Sequence, residues 1–113
     1  MAHFAGAFPV LPGKEAALKQ FSKDIHTRKK EFAKSEKRVG VKKETWFLQA
    51  SSQGQWVVVY FETKDLAKTM SDFAKSTDPF DIWYRDQVKQ ITGVDMAAPP
   101  AGPMPEEILS FGY

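Results

Sequence analysis

The segment Val57-Val58-Val59-Tyr60-Phe61 is apolar at every position. A strand turns successive side chains to opposite faces, and an antiparallel strand with one solvated face alternates apolar with polar residues. Here Val57, Val59 and Phe61 point one way while Trp56, Val58 and Tyr60 point the other, so the strand has no wet side. A chain of 113 residues makes one domain with a core of its own, but its helical material suffices for one face of such a sheet. The second apolar face predicts a partner, and another copy of the chain is the simplest one.

Composition narrows the function classes. With 42% hydrophobic and 27% charged residues, the chain is of the folded rather than the disordered kind. The absence of cysteine excludes disulfides, cysteine-ligated metal centres and thiol catalysis, and two histidines exclude a multi-histidine metal site. The start of the chain shows no basic leader with a long apolar run, and no stretch of about 18 apolar residues occurs, so a cytoplasmic protein without a membrane partner is expected. Sixteen basic against 14 acidic residues leave a formal charge of +2, too little for a global field toward nucleic acid. The basic excess is local: Lys29-Lys30, Lys34, Lys37-Arg38 and Lys42-Lys43. With Glu31 and Glu36 diluting it and no aromatics interleaved to stack bases, it reads as a solvated helix face.

Along the chain, His3 to Leu11 reads as a first strand, with Phe4, Phe8 and Val10 on one face and His3, Ala5 and Ala7 on the other. Pro12-Gly13 breaks it, Gly13 serves as N-cap, and one helix follows from Lys14 to about Arg38, burying Leu18, Phe21, Ile25 and Phe32 at helical spacing. Thr45–Ala50 and Gln55–Glu62 form a hairpin around Ser51-Ser52-Gln53-Gly54. A helix spans Asp65–Lys75, and Asp78-Pro79 restarts another over Phe80–Ile91, with a capping carboxylate ahead of a proline at the first helical position. Residues 96–105, which hold four prolines, read as an extended crossing segment, and residues 106–113 as a C-terminal tail with a final strand at Ile108-Leu109-Ser110-Phe111. The order is that of a split βαβ, an α+β fold with helices on one face of an antiparallel sheet.

The residues Val10-Leu11-Pro12-Gly13-Lys14-Glu15, the hairpin Glu44-Thr45-Trp46-Phe47-Leu48 to Trp56-Val57-Val58-Val59-Tyr60-Phe61, and the run Ser76-Thr77-Asp78-Pro79-Phe80-Asp81 together resemble the dimeric α/β-barrel group of ferredoxin-like proteins. That group includes the antibiotic-biosynthesis-monooxygenase-like and stress-responsive barrel families, and this chain looks like an uncharacterised branch of it. The resemblance implies a single domain over residues 1–113 and a homodimer whose two sheets pack face to face. Members include cofactor-independent oxygenases, haem-degrading enzymes and isomerases, so fold membership leaves the reaction open. The haem-degrading type carries an axial histidine on the later helix, and Phe80–Ile91 has none, which makes haem binding the weakest reading.

By the same resemblance, a site lies between sheet and helices, lined by His3, Trp46, Tyr60 and Trp83, with Arg28 near its entrance. Arg28 interrupts the apolar stripe between Ile25 and Phe32, where its guanidinium either meets an anionic oxygen of a ligand or simply reaches into water. Glu44 shares a strand face with Trp46 and Leu48, as a partner for Arg28, a general base, or a carboxylate in water at a strand end. His26 falls on the flank of the stripe and reads as a surface histidine. Ala5 and Ala7 leave room for a ligand or let a helix approach. Arg85 and Asp86 are expected to face solvent or the partner. No nucleophile elbow and no phosphate-cradling glycine run occurs. The function expected is binding or transformation of a small apolar or aromatic molecule with no tightly held cofactor and no metal; a non-enzymatic interaction module is the alternative, and haem binding trails both.

Overall fold

A computed structural model describes residues 2–99 and 104–112. In chain order the elements are β1 (Ala2–Pro9), α1 (Glu15–Thr27), α2 (Lys29–Val39), β2 (Val41–Ser51), β3 (Gly54–Thr63), α3 (Leu66–Lys75) and α4 (Pro79–Thr92). The protein is α+β, with a three-stranded sheet in the order β1-β3-β2 and four helices among the described residues. Both neighbours of β3 run antiparallel to it, so β1 and β2 are parallel strands separated by a third.

Register assigns every strand side chain to a face. Phe4 pairs with Phe61, Gly6 with Val59 and Phe8 with Val57, while Glu44, Trp46 and Leu48 pair with Phe61, Val59 and Val57. All of these share one face, because the side-chain period is two. Phe8, Trp46, Val57 and Val59 of this face join the core built by Leu18, Phe21 and Ile25 of α1 and Phe80, Tyr84 and Ile91 of α4. The helices therefore cover this face. His3, Ala5, Ala7, Phe47, Val58, Tyr60 and Glu62 belong to the other, and Phe47 there is 60% exposed.

Local chemistry sets the later helices. The Asp65 carboxylate accepts the Lys68 amide at 3.0 Å and Asp78 accepts that of Phe80 at 2.9 Å, with Pro79 opening α4; each satisfies an amide that the first turn leaves unpaired. Arg85 is not turned to solvent as expected. It donates to the Phe73 and Ser76 carbonyls at 2.6 and 2.8 Å, capping the C-terminal end of α3.

Three further expectations are corrected. The single helix to Arg38 is two helices broken at Arg28, whose amide closes α1 on the Asp24 carbonyl and whose carbonyl opens α2 to Phe32. Neither proline nor glycine marks the break; at it the Arg28 side chain forks onto Glu31 at 2.9 and 2.8 Å and lies over the Trp83 and Phe80 rings at 4.4 and 4.9 Å. The N-cap of α1 is Lys14, not Gly13, which takes φ +78° in the preceding turn. Ile108–Phe111 form no strand; the tail instead meets β1 through a contact of 2.5 Å between His3 Nε2 and Glu107 Oε2. Of the proline-rich crossing segment, residues 100–103 lie outside the described residues.

Candidate functional site

The six residues expected to line one site separate into two groups. His3 and Tyr60 lie on the helix-free face, their rings stacked with centroids 6.1 Å apart. The Tyr60 hydroxyl donates to Glu62 at 2.6 Å, a bond that raises the pKa of the phenol. Ala5 and Ala7 belong to that face too, so their small side chains open no space toward the helices. Glu44, Trp46 and Trp83 lie on the helical side. Arg28, with its side chain 32% exposed, is committed to Glu31 and the rings beneath it, and the fork holds the Glu31 carboxyl below its usual range. His26 is exposed on α1.

On the helical side the structure builds a compact polar centre that includes Glu44 and two residues to which the sequence assigned no such role. Alternation along β2 points Glu44 and Trp46 the same way, and the Trp46 indole Nε1 donates to Glu44 Oε2 at 2.6 Å. The Tyr84 hydroxyl, from α4, donates to the same oxygen at 3.0 Å. From the last turns of α2, the Glu36 carboxyl hydrogen-bonds to that of Glu44. Two carboxyl groups bond to each other only when a proton lies between them.

Burial, then the charge of Glu44, then the bond between the two carboxyls push Glu36 up to about 9. Burial also raises Glu44, against the bonds from Trp46, Tyr84 and Glu36 that favour its ionised form. Burial first, then the Glu44 and Glu36 charges, keeps Tyr84 a neutral phenol far above neutral pH. The result is two carboxyls whose pKa values are both raised, the kind of neighbouring pair in which like charges favour keeping one proton.

Aromatic rings wall this centre. Tyr84 meets Phe21 and Phe73 edge-on at 5.3 Å and Phe32 stacked at 6.3 Å. Trp46 and Trp83 reach Phe21 at 5.4 and 5.3 Å. Rings on this scale exclude water and lower the local dielectric, which strengthens every interaction of the pair. Glu36 and Glu44 are themselves only half-buried, so the pair borders solvent at its α2 side.

The expectation that Glu36 belongs to a solvated face is corrected: it is half-buried against Glu44, and the missed signal was its place one turn beyond Phe32. A fully buried carboxylate, Asp81, has a different task. Fully buried at 0% exposure, it accepts from the Ser35 hydroxyl, from Ser76 at 2.5 Å and from Arg38 at 3.0 Å. Burial alone would raise it, but these donors and the Arg38 charge outweigh burial and leave it below its ordinary value. It ties α2 and α4 to the α3–α4 connection.

No cluster of three or more metal-ligating side chains occurs among the described residues, and no helix among them is long and apolar enough to cross a membrane. Comparison with curated proteins and with solved structures returns no match. A family match covers residues 1–98. The chain belongs to that family, a family of unknown function (DUF6176).

Proposed function

We propose that the protein binds a small apolar or aromatic carbonyl compound and moves a proton on it, using Glu44 and Glu36 as a paired base and acid and no bound cofactor. The observation that carries this reading is the Glu44 carboxyl held by the Trp46 indole and the Tyr84 hydroxyl at 2.6 and 3.0 Å, with the neighbouring Glu36 carboxyl raised beside it and rings suited to an apolar ligand around it. Glu44 in its ionised form accepts a proton from carbon next to a carbonyl; the protonated Glu36 returns one to the oxygen. The test is a thermal-shift screen of aryl ketones and phenols, followed by proton NMR of the hits in deuterium oxide. Exchange of the acidic C–H is expected with the native chain and its loss in Glu44→Gln. Absence of any stabilising compound, or equal exchange in Glu44→Gln, defeats the proposal.

The same reading takes the domain as a ferredoxin-like split βαβ protomer of a dimeric α/β barrel. What supports it is the strand order β1-β3-β2 with the helices on one face, and the apolar character of the other, where Ala5, Ala7 and Phe47 are exposed. A purely structural role, in which assembly through this face is the function, draws on that same surface.

A further inference from the structure

The run of cations at the end of α2 acquires a second bank in three dimensions. Lys37 and Arg38 of α2 and Lys42 of β2 line a cleft of about 180 Å³ with Lys64 from the β3–α3 connection and Lys68 of α3. We propose that this cleft binds the phosphoryl group of a small phosphorylated molecule, at a place separate from the Glu36–Glu44 pair.

Charge accounting carries the argument. Arg38 is committed to Asp78 at 3.3 Å and Asp81 at 3.0 Å, and Lys68 to Asp72 at 2.6 Å. The Asp65 carboxylate caps α3. Lys37, Lys42 and Lys64 have no ion-pair or hydrogen-bond partner for their ammonium groups among the described residues. Three like charges around one concavity repel one another, and a compact anion with more than one negative charge relieves that repulsion. Lys42 owes its position to a bulge: Val41 pairs with Thr63 and Lys43 with Glu62, leaving Lys42 unpaired between them, and bulges re-aim side chains in this way. The floor beneath is rigid. Thr69 Oγ1 donates to the Val39 carbonyl at 2.7 Å and lies 2.6 Å from Thr63 Oγ1, and Gly40 ends α2 at φ +88°.

Size and lining choose the ligand class. A volume of about 180 Å³ is below the roughly 300–1,000 Å³ of pockets that enclose a whole drug-sized molecule, so it suits a charged head group. A second cleft of about 370 Å³ shares Arg38, Val39 and Asp72 with the first and continues to Ser76 and Thr77, offering room for a polar body. Among the described residues, no aromatic side chain lines either cleft. Bases of a nucleic acid would have nothing to stack on.

The test is titration of the isotopically labelled chain with pyrophosphate and with inorganic phosphate at constant ionic strength, read by amide chemical shifts. Saturating shifts confined to Gly40, Lys42 and residues 64–68 are expected, and Lys42→Gln and Lys64→Gln should each weaken pyrophosphate about tenfold, the scale of one lost charge-assisted contact. Lys19→Gln, on α1, should leave affinity unchanged while all variants keep a dispersed spectrum. Shifts that do not saturate, or that spread evenly over the lysines, overturn the proposal. So does unchanged affinity in Lys42→Gln and Lys64→Gln, or tighter binding of a single-stranded RNA oligonucleotide than of pyrophosphate.

Discussion

A glutamic acid that shares its proton with a second carboxyl keeps it to a pH where exposed glutamates are fully ionised. Glu36, held at about 9 against an ordinary 4.5, binds a proton in the folded chain that the unfolded chain has already lost. Its contribution to stability is complete below about pH 4.5 and drains away as pH rises through 9. The melting temperature should therefore fall between pH 5 and pH 9, and Glu36→Gln should flatten that decline; a Gln variant with the native slope would assign the effect elsewhere. At this scale the sequence was half legible. Alternation put Glu44 beside Trp46 on one face, as found. Glu36 sits among lysines, and local charge pattern gave no sign that the helix would roll it under toward β2.

Elements were readable where their causes are local. The Asp65 and Asp78 caps and Pro79 operate within a few residues, and the boundaries of α3 and α4 follow from them. The break at Arg28 sits where its guanidinium meets rings more than 50 positions away, Phe80 and Trp83, and the absence of a strand at Ile108–Phe111 depends on whether another strand accepts it. Neither set of partners lies in the segment itself. The junction of α2 with α4 rests on Asp81, whose ion pair with Arg38 is half exposed on the arginine side. Replacing Asp81 with Asn should lower stability by about 2 kcal/mol, the scale for stranding donors around a buried carboxylate. Urea denaturation followed by circular dichroism checks it, and a loss near zero would show the clamp to be idle.

For the whole molecule, the apolar run in β3 stated the central problem correctly: helices cover one face of the sheet, and Phe47, Val58 and Tyr60 belong to the other. If sheets of two protomers pack there, Phe47→Glu combined with Val58→Glu should convert a two-chain mass in light scattering to that of one chain, with far-ultraviolet circular dichroism unchanged. A native chain already of single mass at micromolar concentration would remove that assembly. The carboxyl pair also bears on the molecule as a colloid. A formal charge of +2 counts each glutamate as ionised, but one retained hydrogen ion makes the particle more cationic by one unit near neutrality. Its isoelectric point thereby moves upward, and its electrophoretic mobility varies in a mildly alkaline range where ordinary carboxylates have long been ionised.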